Sequence, residues 1–336
     1  MMHGLRSGNE GECVEFASDA AAQGDGEHPA VVLRDICSKP RPNGHIIVFA
    51  NEKGGVGKST LAFHCAVALC DAGKAVTVVD LDQRQRTLAK AFASREGTAR
   101  SLNIILPSPK HILLRNHSSA QLCQEIARVG SDGSYIVIDL ASHDSAMARR
   151  AIAYADTLVT PINSSFVDID LLGRFDPVTM HLKEPGHFAS LVMELREERA
   201  RLGLPMTDWI VAKNRIRQSE KRQQVRIDKA LQQLAPSLGF RIGDGFAERV
   251  AYRELLPFGL THLDLKHIPH LARVQQPTGD EIVRLIADLD LPGGRDADKP
   301  LKQTGRAKLM RKTSDAFRAA LDAHMQPVIA EMERAS

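Results

Sequence analysis

Residues 46–60 read Ile46-Ile47-Val48-Phe49-Ala50-Asn51-Glu52-Lys53-Gly54-Gly55-Val56-Gly57-Lys58-Ser59-Thr60. Five uninterrupted apolar residues, a glycine-rich turn and an apolar run reaching Asp71 predict a buried parallel strand, a tight loop and a helix. That context gives the loop its chemistry. Gly54, Gly55 and Gly57 let the backbone turn sharply and aim successive N–H groups inward, around Val56. The helix opening near Ser59 adds the positive end of its dipole, so the loop suits an anion. Lys58 supplies a cation for β- and γ-phosphates, Ser59 a hydroxyl for Mg²⁺, and Thr60 a contact for an α-phosphate. The loop departs from the common GxxxxGK[ST] spacing, because Glu52 stands where the first glycine would be. A second lysine, Lys53, precedes the glycines instead.

Outward from the loop, residues 75–79, 135–139, 157–161 and 209–212 are further short apolar runs with helical or mixed segments between them. Alternating strand and helix predicts an α/β fold, a mostly parallel twisted sheet with helices on both faces. Two strand ends carry acids: Asp80 and Asp82, which alternation places on one side of the chain, and Asp139. Carboxylates at two strand ends beside a phosphate loop are expected to serve the site rather than merely to cap the helices that follow.

KGGxGK[ST] resembles the deviant phosphate loop of the ParA/MinD superfamily of dimerising P-loop ATPases. Further stretches resemble the MipZ family within it: residues 80–87 (DLDQRQRT), 165–173 (SFVDIDLLG), 209–215 (WIVAKNR), 239–243 (GFRIG) and 252–261 (YRELLPFGLT). The resemblance spans residues 45–292. It implies that Lys53 crosses to a partner subunit's nucleotide, that Asp82 orients the attacking water, and that Asp139 holds Mg²⁺ through water. Asn214 is implied at the adenine edge. The implied cycle is an ATP-dependent homodimer that binds DNA without sequence preference, inhibits FtsZ assembly and has ParB as polar partner. Its implied place is cytoplasmic, nucleoid-associated and polar. Relatives usually continue after the third strand with Thr-Pro-Gly. Here the turn reads Leu140-Ala141-Ser142-His143-Asp144, without glycine, so slow hydrolysis is expected. A ParA-type partition ATPase and a nucleotide-dependent scaffold with little hydrolysis are the alternatives.

A basic surface adds the DNA expectation from the residues themselves. Arg215, Arg217, Lys221, Arg222, Arg226 and Lys229 are joined by only two acids, Glu220 and Asp228. Ser219 is the expected N-cap of a helix on which Arg222, Arg226 and Lys229 share one face, opposite Ile227, Leu231 and Leu234. No aromatic residue is interleaved, which favours duplex backbone contact over base stacking. About three phosphate contacts per chain give a salt slope of about −2.7, and two chains about −5.4.

The net charge of +3 excludes a globally basic nucleic-acid binder, so the local patch has to carry that argument. Five scattered cysteines (Cys13, Cys37, Cys65, Cys70 and Cys123) form no CxxC pair, against a zinc site or disulfide framework. No apolar run is long enough to cross a bilayer, and residues 1–6 are not expected to open a secretory signal. Residues 1–44 are read as a flexible extension. Residues 293–336 are read as a basic tail in which Phe317, Leu321, Met325, Val328 and Met332 line one helical face, fit to pack on the body or a partner rather than on a membrane. His262, His267 and His270 lie near Asp264 without metal-ligand spacing.

Overall fold

The computed structural model describes residues 27–112, 114, 118–129, 133–163, 165–176, 182–217, 219–268 and 278–292. Helix α1 (Pro29–Cys37) precedes strand β1 (His45–Phe49) and helix α2 (Lys58–Asp71). Then come β2 (Val76–Asp80), α3 (Thr87–Ser101), β3 (Lys110–Ile112), α4 (Ser119–Val129), β4 (Tyr135–Asp139), α5 (Ala146–Tyr154) and β5 (Thr157–Asn163). A short helix α6 (Phe166–Ile169) and an antiparallel hairpin, β6 (Gly173–Phe175) with β7 (Leu182–Pro185), lead to α7 (His187–Arg201), β8 (Asp208–Asn214), α8 (Lys221–Leu238) and β9 (Arg241–Asp244). The described chain closes with α9 (Val250–Leu255), 3-10 turns at Leu256–Phe258 and His262–His267, and α10 (Thr278–Asp288).

Seven strands form one parallel sheet in the order β3-β2-β4-β1-β5-β8-β9. The central strands are mostly apolar because both sheet faces are covered. In β1, Ile46 and Val48 enter one core with α1, α4, α5, α7 and α8, while Ile47 and Phe49 enter the other with α2, α3 and α10. Helix α2 is apolar around much of its circumference, since it lies between the sheet, α3 and α10. The five runs read from sequence correspond to β1, β2, β4, β5 and β8. Strands β3 and β9, at the sheet edges, have three and four residues, too few for a periodic signal.

Two expectations change. Residues 29–37, read as part of a loose extension, form a helix whose Val32 and Leu33 are buried against α5 and α7. Arg150 of α5 pairs with Glu27 at 2.6 Å and Asp35 at 3.4 Å, which fixes the helix in place. Helix α8 starts one residue beyond the expected cap: Glu220 is its N-cap and makes no side-chain cap bond. Residues 1–26 and the tail 293–336 lie outside the described residues.

The 252–261 stretch that marks the family resemblance docks on α3. Gly259 has φ 63°, and a Cβ there would stand 2.3 Å from the Ala91 carbonyl oxygen and the Arg95 nitrogen, so only glycine fits. Arg95, fully buried, donates to both oxygens of buried Asp264 (2.8 and 2.6 Å) and to the Gly259 and Pro107 carbonyls. Truncating one partner of such a pair strands the other charge in the core. Arg95→Met is therefore expected to lower unfolding free energy by about 3–5 kcal/mol, read from urea midpoints.

His64 of α2 is completely buried, its Nδ1–H donating to the Thr60 carbonyl at 2.8 Å. The rings of Phe63, Phe246 and Tyr252 meet it edge-on at 5.4, 5.0 and 5.2 Å. Burial pushes its pKa down to about 4 from 6.5, so the folded chain holds it neutral. Its contribution is complete above the unfolded pKa and is lost as pH falls from 6.5 towards 4. In that window wild-type stability should fall by up to about 1.4 kcal/mol per pH unit more steeply than that of His64→Phe, measured by urea unfolding.

Candidate functional site

The glycine-rich loop lies at the carboxyl end of β1, between β4 and β5, where the sheet splays in both directions. Gly57 is the N-cap of α2 with φ 94°. A Cβ on it would stand 2.2 Å from the Nδ2 of Asn214, the last residue of β8. Asn214 donates to the Val56 carbonyl at 2.8 Å and accepts from the Phe246 N–H at 2.9 Å. Asn214, 3% exposed, clasps the loop to the β9–α9 connection and also lines the cavity beside Gly57 and Thr60. A second asparagine, Asn51, holds the other side. Its Nδ2 donates to the Pro161 carbonyl at 2.7 Å and its Oδ1 accepts the Lys53 N–H at 2.8 Å.

The loop lies between two cavities. The larger, about 640 Å³, is lined by Gly54, Asp82, Arg84, Gln85, Ser142 and His143. The smaller, about 190 Å³, is lined by Gly57, Thr60, Asn214, Arg215, Phe246 and Tyr252 among others. Thus Gly54 opens on one end of the site and Thr60 on the other.

Lys58 is 6% exposed and donates to the Lys53 carbonyl at 3.1 Å and to the Ser142 hydroxyl. Burial lowers its pKa, against the pull of Asp139 and Asp82. The Ser142 contact was not legible in the sequence, where the glycine-free turn suggested only stiffness. Asp139, at the end of β4, is fully buried, and neither carboxylate oxygen has a hydrogen-bond partner among the described residues. Burial pushes its pKa up to about 8; the Ser59 hydroxyl is the strongest influence in the opposite direction. Two partnerless hard oxygens beside a hydroxyl fit a divalent cation such as Mg²⁺, which also favours the ionised carboxylate.

The acids after β2 divide their work. Asp80 accepts the N–H groups of Asp82 (3.0 Å) and Ala89 (2.9 Å), and so shapes the turn into α3. Asp82 accepts from Arg84 (3.1 Å) and Gln85 (3.0 Å) through one oxygen, which aims the carboxylate while it lines the larger cavity. Lys53, expected to reach another subunit, here pairs with Asp168 of its own chain. Asp168 is fully buried and also accepts the Asn163 N–H at 2.8 Å. It lies in the 165–173 stretch, yet nothing in the sequence marked it as the lysine's partner. Glu52 meets His187 of α7 at 3.0 Å, and Asp144 is gripped by Arg149.

On α8, Lys221, Arg222, Arg226 and Lys229 are exposed, while Ile227, Leu231 and Leu234 are buried, as the helical period requires. Arg215, with φ 51°, is exposed beside them. Arg217 pairs with Glu248, and with Glu220 at 3.4 Å. Lys213 is likewise held by Asp228 (3.0 Å) and Asp244 (3.2 Å). His262 and His267 lie on the turn after α9, and His270 is outside the described residues. No helix among the described residues is long and apolar enough to cross a membrane.

Known proteins bear on this site at two levels. The fold is like that of septum site-determining protein MinD of Pyrococcus horikoshii, solved with Mg-ADP (TM-score 0.51, 16% identity, 76% of this chain and 100% of that chain). It is also like an ATP complex of Cyanothece McdA (TM-score 0.50, 18% identity, 78% of this chain and 100% of that chain). Among curated proteins, the chain is 28% identical to ParA of Rhizobium radiobacter over 37% of its length and 22% identical to the chromosome partitioning protein ParA of Myxococcus xanthus over 45%. It spans 50% and 63% of those two proteins. The profile of the ATPase MipZ matches residues 45–293, well over half of the chain and the whole of the sheet and its loops. The chain therefore belongs to the MipZ family of ParA/MinD-type P-loop ATPases.

Proposed function

We propose that this chain is an ATP-hydrolysing switch that dimerises around its nucleotide, binds duplex DNA through backbone charge, and restrains FtsZ assembly with ParB as its polar partner. The observation that carries the reading is a buried loop lysine, Lys58, close enough to feel the charge of a buried carboxylate, Asp139, whose oxygens have no hydrogen-bond partner among the described residues. Structural ion pairs are satisfied; a cradle waiting on a phosphate chain and its cation is not. In this reading residues 54–60 hold the phosphates with their N–H groups, and Lys58 leaves Ser142 for the β- and γ-phosphates. Ser59 and Asp139 hold Mg²⁺, which when bound neutralises phosphate charge developing in the transition state. Asp82 orients the attacking water from the larger cavity. The nucleoside lies over Thr60 towards Phe246, in the smaller cavity.

Dimerisation follows from charge. Two triphosphates facing each other across an interface need cations, and Lys53 of each chain supplies one. To do so it must leave Asp168, which is fully buried. The pair thus works as a latch, opposing assembly until phosphate charge outcompetes it. Hydrolysis returns the lysine to its own chain. The reading places the protein in the cytoplasm, on the nucleoid and at the pole.

A partition ATPase is the second reading, favoured by the two ParA relatives. Inhibition of purified FtsZ assembly by the ATP form supports the first reading, and its absence the second. The Ser142 bond to Lys58 favours slow hydrolysis or, at the extreme, a nucleotide-dependent scaffold. Single-turnover product formation above background excludes the scaffold.

Mass measurement tests the switch. With ATP and Mg²⁺ the wild-type chain is expected at twice its monomer mass, Lys53→Gln at monomer mass, and Asp82→Ala as a dimer that outlasts the wild type. A wild type that stays single at saturating ATP overturns the proposal. DNA binding is expected only for the dimer, with a log–log salt slope of about −5, and Arg222→Ala/Arg226→Ala should bring that slope nearer zero by about 3 to 4. An unchanged slope removes α8 from the DNA surface.

A further inference from the structure

Helix α10 carries two carboxylates seven residues apart, hence on one face, and both accept from the strand and loop beside them. Asp288 takes the Asp244 N–H at 2.7 Å, at the end of β9. Glu281, only 4% exposed, is more heavily engaged. One oxygen accepts two guanidinium N–H groups of Arg249 at 2.8 and 2.6 Å. The other accepts the Ala247 N–H at 3.2 Å and the Tyr252 hydroxyl at 2.8 Å. A single side chain therefore holds three residues of the 245–253 connection, the segment that walls the smaller cavity.

What that connection presents is geometrically exact. Tyr252 stacks on Phe246 with centroids 4.5 Å apart and planes 11° off parallel, and His64 stands edge-on to both. Phe246 is in turn fixed through its N–H to Asn214, which holds Val56 of the phosphate loop. A continuous path leads from α10 through Glu281, Tyr252 and Phe246 to the loop.

We propose that Glu281 is the positioning residue for the nucleoside end of the site: it sets the shape of the cavity beside Gly57 and Thr60, and through it the protein's discrimination between bases. This rests on the nucleotide reading above. The hydrogen-bond partners of Glu281 are Ala247, Arg249 and Tyr252, none of them in the 54–60 loop, so its effect belongs to ligands that carry a base. Glu281→Gln keeps one acceptor oxygen and replaces the other by an amide donor, which has to face either the Arg249 guanidinium or the Ala247 N–H, so one hold on the 245–253 connection is lost without creating a cavity.

Calorimetric titration of the full chain in Mg²⁺ with ATP, GTP and inorganic tripolyphosphate tests this. The wild type should bind ATP well above GTP. Glu281→Gln should weaken ATP about tenfold, narrow the ATP-to-GTP ratio, and leave tripolyphosphate within about twofold. Asp288→Asn, which loosens the same helix away from the cavity, should cost thermal stability yet keep the ATP-to-tripolyphosphate ratio of the wild type. An unchanged ratio in Glu281→Gln, or the same loss of ratio in Asp288→Asn, makes Glu281 a merely structural residue and overturns the proposal. A wild type that binds neither ATP nor tripolyphosphate overturns the nucleotide reading itself, and this one with it.

Discussion

A hydrogen atom at Gly57, where any other residue has a side chain, lets the Asn214 amide lie against the phosphate loop. A Cβ would intrude to 2.2 Å of that amide, and φ at this residue is 94°, so sterics and backbone conformation demand the same residue. Through this contact three remote pieces of chain become one rigid unit: the loop after β1, the end of β8, and the connection after β9. Backbone N–H groups can cradle an anion only if they are held in register before it arrives. The clasp of Asn214 on Val56 and Phe246, with Asn51 on Pro161 and Lys53 opposite it, provides that holding without touching the anion.

Around this unit the charges are arranged under tension. Asp139 and Asp168 are both fully buried, yet they are treated oppositely. Asp168 is satisfied by Lys53 and by the Asn163 N–H, whereas Asp139 has no hydrogen-bond partner among the described residues, only the nearby influence of the Ser59 hydroxyl, and its pKa is pushed up to about 8 by burial. Desolvating a carboxylate without partners is unfavourable by itself, and a cation is the usual remedy. The satisfied acid marks where the chain rests; the unsatisfied one marks where it is incomplete.

The sequence made the sheet centre plain, because strands buried on both faces are mostly apolar, and β1, β2, β4, β5 and β8 each carry such an apolar run, with polar residues chiefly at their ends. The loop was plain for a similar reason: glycines and lysines at fixed spacing have few other uses. What remained hidden was relational. That Asn214 would face inward to Val56 depends on how β8 sits beside β5 and β1, and no local pattern reports that distance. The Lys53–Asp168 pair joins residues 115 positions apart. Helix α1 gives little signal because only Pro29, Val32 and Leu33 of its nine residues are buried, and their groove is supplied by α5 and α7. Arg217 looked like its basic neighbours, and only the fold brings Glu248 against it.

That last pairing bears on how DNA affinity must be built. With Arg217 and Lys213 engaged by acids of their own chain, the proposed surface reduces to Arg215 and the stripe on α8. From Arg222 to Lys229 a helix rises about 10 Å, which spans about three phosphates of one strand. Exposed charges separated by more than about 8 Å are screened from one another in physiological salt, so one stripe gains little from basic residues elsewhere on the same chain. Two stripes fixed in one dimer act differently, since the second meets DNA at the high effective concentration set by the first. Thin charge on each chain is therefore what a nucleotide-controlled DNA switch needs. A richer patch would hold the single chain on DNA, and the nucleotide would then decide nothing.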